Sequence, residues 1–278
     1  MGIVGPGRAG LGLALALRRA RVKVAGVHGR SERPMPAGLR LSTGPLPPWL
    51  PDVGVIVLAV RDEALEPLAK DLAAGGAGRG HVVLHLSGAL TRSVLAPLAA
   101  AGAATGSMHP LMTVSLEPAE AARRFRGAAF ILEGDLGAVG VADALVRRLG
   151  GVPLTLAPEA KPLYHAGAVF ASNYVVTMLA AALRLLEEAG LAHDAALGAL
   201  APLARATVDA VAAAGPAAAL TGPVARGDAV TLRRHLSALK HQDKELYRAV
   251  GRETLKLARQ AGLDEQHAAR IEEVLRMQ

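Results

Sequence analysis

The amino-terminal stretch GIVGPGRAGLG places Gly5, Gly7 and Gly10 in G-x-G-x-x-G spacing, between a short apolar run and a helical pattern. In a strand–turn–helix unit the first glycine permits the tight turn, the second lets a pyrophosphate approach the backbone, and the third lets helix and strand pack closely. The helix amino terminus then presents free N–H groups and the positive end of its dipole to the phosphates. This loop, which includes Arg8, is therefore predicted to bind a dinucleotide.

About 20 residues beyond this motif, dinucleotide-binding proteins usually carry an acidic residue that hydrogen-bonds the ribose 2′-hydroxyl. This chain has Arg30 there, with Ser31 beside it and Arg33 nearby. A carboxylate repels a 2′-phosphate and an arginine binds it, so these residues predict a preference for NADP(H) over NAD(H). Two alternatives stay open: Arg30 solvates a surface turn, or a two-residue shift of the alignment puts Glu32 in the acidic position.

Further candidates follow three later apolar runs. Ala59 and Val60 are small enough to form a wall against the cofactor ribose, and Asp62 is predicted to cap the next helix. Ser87 and His109 follow the next two runs. Because ligands of open α/β sheets bind at the carboxyl ends of the strands, Ser87 and His109 are predicted to line the nicotinamide end of a substrate pocket.

Other chemistries find little support in the sequence. A serine hydrolase would carry a G-x-S-x-G elbow, which is not present. A metal site is not predicted, because no histidine pair has the i, i+4 spacing with an interposed glutamate. The chain has no cysteine, which excludes disulfides and thiolate metal sites.

The segment KPLYHAGAVFASN brings further polar groups onto one predicted helix. Lys161 and His165 share a face, and Asn173 lies at its edge. A lysine with a histidine one turn later can donate a proton to a developing alkoxide or amine, while Asn173 orients the substrate. A capped, solvated first turn explains the same residues equally well.

Alternating apolar runs and helical segments predict the elements that position these residues. The predicted strands indicate a parallel, doubly wound Rossmann-type sheet over residues 1–157, and an all-helical domain follows over 158–278. One short strand is expected within Arg33–Pro51, and Asp228 is predicted to cap a helix. The strands proposed are Gly2–Val4, Val22–Val27, Val53–Val60, Val82–Leu86, Thr105–Met108, Ala129–Leu132 and Val152–Leu156.

The composition narrows the class of partner. The 278 residues carry a formal net charge of +7, but the basic residues are scattered among acidic ones, so nucleic-acid binding is not expected. The sequence starts inside the first predicted strand, so no signal peptide is expected. No uncharged apolar run is expected to reach membrane-spanning length. These features predict a soluble cytoplasmic protein without a membrane partner.

Five motifs in this order, GPGRAG, HLSGAL, GSMHPL, KPLYHAGAVFASNY and LTGPVARGD, resemble an uncharacterised bacterial family in which a Rossmann-like domain precedes a helical domain of unknown function. That family is similar in plan to the 6-phosphogluconate dehydrogenase superfamily, which includes ketopantoate reductase, pyrroline-5-carboxylate reductase and prephenate dehydrogenase. The resemblance implies nicotinamide-dependent redox chemistry and a homodimer formed through the helical domains. Several of those enzymes have Asn four residues after the helical Lys, where this chain has His165, so the substrate class does not carry over.

Together these features predict an NADP(H)-dependent oxidoreductase that moves a hydride between nicotinamide and a small polar C=O or C=N substrate. A deazaflavin cofactor is a variant of this hypothesis. The alternative is a non-catalytic NADP(H)-binding sensor or interaction protein with the same fold.

Overall fold

The computed structural model describes residues 1–114 and 117–276. The chain forms two compact units, an amino-terminal unit from Met1 to Asn173 and a carboxy-terminal unit from Tyr174 onward. The helix that begins at Lys161 therefore belongs to the amino-terminal unit, whereas the sequence-based boundary lies before it, after residue 157.

An eight-stranded sheet organises the amino-terminal unit, in the order β3-β2-β1-β4-β5-β6-β7-β8. The first six strands are parallel, and β7 and β8 run in the opposite direction because β7 pairs antiparallel with β6 and β8 pairs parallel with β7. The predicted mostly parallel, doubly wound sheet is therefore confirmed. The strands are β1 Gly2–Val4, β2 Val27–Gly29, β3 Leu41–Thr43, β4 Val55–Leu58, β5 Val82–His85, β6 Ala104–Leu111, β7 Ala129–Gly134 and β8 Val152–Thr155.

Both faces of this sheet are buried. Ile3 and Val4 are adjacent in β1 but belong to two different apolar clusters, and the same holds for Val57 and Ile56 in β4. Side chains alternate between the faces of a strand, so each strand contributes to both clusters and reads as a continuous apolar run. The helices of this unit are α1 Arg8–Arg19, α2 Leu65–Ala74, α3 Ala96–Ala100, α4 Pro118–Arg124, α5 Leu136–Arg148 and α6 Lys161–Ala171.

The second strand differs from its prediction. The sequence places it at Val22–Val27, but β2 covers Val27–Gly29. The backbone before it still bonds to β1, through Ala25 N to Met1 O at 2.9 Å and Ile3 N to Gly26 O at 3.2 Å. The apolar residues before Val27 are therefore an extended approach to the sheet and not part of a strand. The short strand expected within Arg33–Pro51 is present as β3.

The carboxy-terminal unit is helical in its described part. Its core joins α10, α11 and α12 through buried residues such as Leu232, Leu255 and Ile271. Asp228 caps α10 as predicted, because its carboxylate accepts a hydrogen bond from Thr231 N at 3.0 Å. The helices are α7 Asn173–Glu188, α8 His193–Ala214, α9 Pro216–Ala219, α10 Ala229–Ala238, α11 His241–Gln260 and α12 Glu265–Arg276.

Two helical stretches, Pro158–Glu188 and His193–Ala214, are long and apolar enough to cross a membrane by length and composition, with mean hydropathies of 1.6 and 1.3. Almost none of their residues is buried within the chain. The expectation that no uncharged run reaches this length is therefore wrong. It overlooked residues 162–183, which contain no Asp, Glu, Lys or Arg.

Candidate functional site

The glycine-rich turn after β1 has the geometry that its spacing predicts. Gly5 has a φ of +113°, and a Cβ there would lie 2.2 Å from the carbonyl oxygen of Ala59. A Cβ on Gly10 would lie 2.0 Å from the carbonyl oxygen of Gly5. These two positions therefore accept only glycine, the first for its backbone conformation and the second for helix–strand contact.

Gly7 is different, because a Cβ there would meet no described atom within 4 Å. It is the N-cap of α1 and makes no side-chain capping bond, and the first turn of α1 contains no acidic residue. The open side of Gly7 and the uncapped helix terminus together form a cradle that fits a phosphate group. Arg8, the first residue of α1, is exposed beside it.

The loop after β2 carries the predicted 2′-phosphate residues. Arg30, Ser31 and Arg33 are all exposed. The Arg33 guanidinium donates a hydrogen bond to the carbonyl oxygen of Pro6 at 2.5 Å, which ties this loop to the glycine-rich turn. The two segments predicted to hold the cofactor are thus adjacent, and the side chains of Arg30 and Ser31 face solvent.

Ala59 and Val60 lie at the carboxyl end of β4, directly beside the turn. Ala59 N donates to the carbonyl oxygen of Val4 at 2.7 Å. A Cβ on Gly5 would also lie 3.2 Å from Val60 Cγ1. Both residues therefore lie against the turn, and their contact with a cofactor ribose stays a prediction.

Lys161 forms the centre of a second group of polar residues and is fully buried. Its Nζ donates to Ser107 Oγ at 2.7 Å and to the carbonyl oxygen of Ser87 at 3.2 Å, and it lies 3.9 Å from Glu133 Oε2. Burial lowers the pKa of Lys161 to about 8, and the charges of Glu133 and Asp62 oppose this shift. Lys161 can therefore exchange a proton near neutral pH.

Glu133 is the buried acidic partner of this lysine. It lies opposite Ser107 in the β6–β7 register, and such cross-strand pairs share one face of the sheet. Its Oε2 accepts hydrogen bonds from Arg92 N at 2.8 Å and from Ser107 Oγ at 3.3 Å. Glu133 was not among the residues predicted from the sequence, although one acidic residue in the apolar run AFILEG was a usable signal.

Ser87 is engaged by the protein through its side chain as well as its carbonyl group. Its Oγ donates to Asp62 Oδ2 at 2.9 Å and accepts from Ala89 N at 3.2 Å and Leu90 N at 3.1 Å. The hydroxyl therefore fixes the loop after β5. The cap predicted for Asp62 is wrong, because the N-cap of that short 3₁₀ helix is Arg61, whose side chain makes no capping bond.

His85, at the end of β5, fixes the same loop. Its Nδ1 accepts from Ser87 N at 3.2 Å, so Nε2 carries the hydrogen and donates to the carbonyl oxygen of Thr91 at 3.2 Å. Burial lowers the pKa of His85 to about 3, and the charge of Lys161 adds to the shift. This histidine is therefore neutral at pH 7.

His109 reaches the other side of the group. Its Nδ1 forms a 2.5 Å hydrogen bond with the hydroxyl of Tyr164, and its ring centroid lies 6.1 Å from that of His165. Burial lowers the pKa of His109 to about 4, with further contributions from His165 and Lys161. Burial raises the pKa of Tyr164 to about 12. Both groups are therefore neutral near pH 7, and they form a hydrogen bond between two uncharged partners.

Gly88 explains why the two imidazoles can approach the loop. A Cβ there would lie 2.7 Å from His165 Nδ1 and 2.9 Å from His109 Nε2. His165 Nδ1 is buried, and among residues 1–114 and 117–276 it has no hydrogen-bond partner. An unpaired ring nitrogen beside a glycine is a position where a ligand can donate or accept a hydrogen bond.

The structure thus brings Ser87, His109, Lys161 and His165 together, and the roles predicted for them stay predictions. Asn173 is the first residue of α7, directly after Ser172, the C-cap of α6, and it is exposed. Tyr164 was missed, although it lies three residues after Lys161 and so on the same helical face.

These features define a class: a Rossmann-type α/β unit with a phosphate-fitting glycine turn, a buried lysine site and a helical carboxy-terminal unit. A Rossmann-like domain model matches residues 1–110, and the model of a domain of unknown function, DUF2520, matches residues 128–254. The chain therefore contains a Rossmann-like domain followed by this domain of unknown function, which is the domain order that the resemblance of its motifs implies. A search of curated proteins finds no match.

Three solved structures illustrate how widely this fold occurs. A candidate NADP oxidoreductase from Bacteroides fragilis is 22% identical, with a TM-score of 0.70 and coverage of 94% of this chain and 96% of the other. A reductive aminase from Aspergillus terreus, in complex with NADPH4, cyclohexanone and allyl amine, is 16% identical, with a TM-score of 0.57 and coverage of 99% and 91%. The pyrroline carboxylate reductase of Plasmodium falciparum, with NADP bound, is 11% identical, with a TM-score of 0.60 and coverage of 98% and 97%. At these identities the likeness concerns the fold.

Proposed function

We propose that this protein is an NADP(H)-dependent oxidoreductase that transfers a hydride between nicotinamide and a small polar substrate with a C=O or C=N bond. The observation that carries the proposal is the arrangement at the carboxyl ends of the parallel strands. There the turn after β1 fits phosphate groups, and a buried lysine with a lowered pKa lies beside β5 and β6. One holds a dinucleotide, and the other handles a proton. Relatives in fold were crystallised with NADP or NADPH, which supports this cofactor.

In this proposal the pyrophosphate lies against Gly5, Gly7 and Gly10, with Arg8 beside it, and Ala59 and Val60 line the ribose. Arg30 and Ser31 bind the 2′-phosphate, and Arg33 holds their loop against the turn through its bond to Pro6. A guanidinium binds a phosphate with charge-assisted, often bidentate hydrogen bonds, so the exposed position of Arg30 suits an incoming ligand. NADP(H) supplies the hydride donor or acceptor when it is bound.

The protein's own residues would handle the proton. The ammonium group of Lys161 has three N–H donors, and two of them bond to Ser107 and Ser87. Lys161, through its third N–H, or His165 donates the proton that a reduced oxygen or nitrogen requires. Tyr164 and His109 form a neutral hydrogen-bonded pair that orients the substrate, and Ser87 fixes the loop that bounds this region. Asn173 remains a proposed orienting residue.

The partner proposed for the helical region is a second copy of this chain. Large apolar side chains on α6, α7 and α8 are exposed, among them Leu163, Phe170, Val176 and Leu203 at 65–80%. Exposed apolar surface of this extent is typical of an interface with another protein molecule. Light scattering during size exclusion tests this: a mass near twice 28.5 kDa is expected, and a monomer would contradict the dimer.

The cofactor proposal is tested by titrating the purified protein with NADPH and with NADH while following fluorescence. Tighter binding of NADPH is expected, because only NADPH carries the charge that Arg30 would bind. Equal affinity, or a preference for NADH, would contradict it. Turnover is then measured with NADPH and a panel of small ketones, ketoacids and cyclic imines, with Lys161→Met and His165→Asn variants as probes of the proton donor.

A further inference from the structure

Strand β6 carries a row of polar side chains on one buried face. Thr105, Ser107 and His109 are two residues apart, so they point to the same side of the sheet, while Met108 between them packs in the apolar core. Thr105 and Ser107 are almost completely buried. At a rise of about 3.3 Å per residue the row spans roughly 13 Å. It therefore links the region of His109 and Tyr164 to a place beyond Lys161.

That place is a cavity of about 290 Å³ within the amino-terminal unit. Its rim includes exposed residues, so it opens to the surface. Most of its accessible wall is apolar, and hydroxyl and charged side chains form the rest. A cavity of this size can hold water molecules that hydrogen-bond to those polar groups. The residues that line it include Thr91, Arg92, Ser93, Thr105, Glu133 and Pro158.

Two residues of this wall, Thr105 and Glu133, carry buried polar side-chain atoms. Glu133 Oε1 and Thr105 Oγ1 are both inaccessible, and within residues 1–114 and 117–276 neither has a hydrogen-bond partner. A buried carboxylate oxygen without a partner is costly, and ordered water is the usual partner of such atoms. The other oxygen of Glu133 bonds to Ser107 Oγ, which bonds to Lys161 Nζ. One carboxylate thus joins the cavity to the lysine.

We propose that Glu133 relays protons between the buried amine of Lys161 and water in this cavity. The role deepens the proposed oxidoreductase function, on which its catalytic meaning rests. A reductase must recover one proton from solvent in each turnover, while cofactor and substrate cover the front of the site. A path from the cavity through Thr105 and Glu133 supplies that proton while cofactor and substrate remain bound on the other side of Lys161.

One proton passes along this path in each turnover. Lys161 gives one proton to the reduced substrate atom and becomes a neutral amine. A hydronium ion in the cavity, hydrogen-bonded to Thr105 Oγ1, gives a proton to Glu133 Oε1 and remains as water. The carboxyl group then rotates about its Cγ–Cδ bond, so that the protonated oxygen takes the place of Oε2. That oxygen gives its proton to Ser107 Oγ over 3.3 Å while the Ser107 hydroxyl proton passes to Nζ over 2.7 Å. Lys161 is again an ammonium, Glu133 is again a carboxylate, and no electrons move. In the resting structure Nζ donates to Ser107 and Ser107 donates to Glu133, which is the orientation for a proton leaving in the oxidative direction.

The charged and titratable groups around this path come from several elements of the amino-terminal unit. Lys161 on α6 faces Glu133 on β7, Asp62 on the 3₁₀ helix after β4, His85 on β5 and His109 on β6. Glu133 also accepts from the backbone of Arg92, whose guanidinium lies 3.7 Å from Asp135. Both histidines are neutral near pH 7, so Glu133 is the acid–base group bonded, through Ser107, to the lysine amine.

The test measures how fast the Nζ hydrogens of Lys161 exchange with water, by NMR of the full chain with ¹⁵N-labelled lysine and without cofactor. Lys161 is the one lysine of six that is buried, so its signal is separable. In Glu133→Gln, exchange is expected to slow by roughly 100-fold, the low end of what a positioned acid–base group contributes. Glu66→Gln, which removes the acid of the exposed Glu66–Lys70 pair, is the matched control and should leave Lys161 unchanged.

Exchange in Glu133→Gln at the wild-type rate, or faster, overturns the relay. Thr105→Val gives a second test that keeps the carboxylate: it replaces the unpartnered hydroxyl with a methyl group of equal size, so it should also slow exchange. A wild-type rate in Thr105→Val overturns the path through the cavity, including when Glu133→Gln does not fold. Because no cofactor or substrate is present, failure of the relay is distinguishable from failure of NADPH binding in the separate titration.

Discussion

The chain places positive charge at two regions near the carboxyl ends of the parallel strands. The two regions differ in whether the charged side chain is exposed to solvent or buried. Arg30 lies after β2 with its side chain in solvent. Lys161, the first residue of α6, is fully buried and bonds to Ser107 on β6. Solvent stabilises the guanidinium at little cost, so Arg30 is free to bind an anion. Burial destabilises the ammonium, and the bonds to Ser107 and Ser87 offset that cost.

This difference separates binding from chemistry. An exposed arginine keeps its charge at every physiological pH and selects for a phosphate. A buried lysine whose pKa falls to about 8 can gain and lose a proton near neutrality. Mutations in the buried region are therefore expected to have larger effects than mutations in the exposed region.

Lys161→Met is expected to have the largest effect. It leaves Glu133 buried without its positive partner, and removing one member of a buried ion pair costs about 3–5 kcal/mol of the free energy of unfolding. Urea denaturation measures the loss. Lys70→Met, in an exposed pair, is the control and should leave stability unchanged. A Lys161→Met protein as stable as wild type would mean that the buried pair contributes nothing.

The glycine turn offers a matched pair of variants. Gly10→Ala places a methyl group against the carbonyl of Gly5, so it should lower stability by about 1–3 kcal/mol and also weaken NADPH binding. Gly7→Ala meets no described atom within 4 Å, so stability should change by less than about 1 kcal/mol while NADPH binding is lost. Thermal denaturation and NADPH titration of both variants separate the two effects. Full NADPH affinity in Gly7→Ala would show that no phosphate lies there.

Arg30→Ala tests the exposed region. Loss of charge-assisted hydrogen bonds to a 2′-phosphate should weaken NADPH binding by roughly 10- to 100-fold and leave NADH binding nearly unchanged. The matched control is Arg79→Ala, an exposed arginine before β5, at the opposite end of the parallel strands. Equal losses for NADPH and NADH would indicate a role for Arg30 other than 2′-phosphate recognition.

The smallest expected effect is the contribution of Lys161 to the pH dependence of the free energy of unfolding. The folded pKa of Lys161 lies near 8 and its unfolded pKa near 10.5, so between these values the unfolded state binds more protons and stability rises with pH. The slope from this residue is at most about 1.4 kcal/mol per pH unit. The difference in unfolding free energy between wild type and Lys161→Met should therefore grow in favour of wild type from pH 8 to 10. A flat difference would show that the pKa of Lys161 is unshifted; Tyr164, whose pKa is raised to about 12, acts in the opposite direction only above pH 10.

The sequence predicts the exposed region better than the buried one. The glycine spacing and the position of Arg30 are local signals, because consecutive residues form the turn and the loop. The strands could be located by their apolar runs, although Val22 and Val24 read as strand and only approach the sheet. The sheet register and the reversed direction of β7 leave no local pattern.

The buried site depends on that register. Glu133 meets Ser107 because β7 runs antiparallel to β6, and Asp62 meets Ser87 across two loops. Each residue is visible in the sequence, but their pairing is a property of the folded sheet. Tyr164 could have been predicted from the sequence, because the helical repeat places it on the same face as Lys161.

A crystal structure with NADPH bound tests most directly the central claim that both regions serve one active site. The predicted result is a complex in which the 2′-phosphate contacts Arg30 and Ser31, the pyrophosphate covers Gly7, and the nicotinamide lies beside Gly88 and His109. A complex with the Arg30 side chain in bulk solvent, touching no ligand atom, and with the nicotinamide away from Gly88 would contradict it.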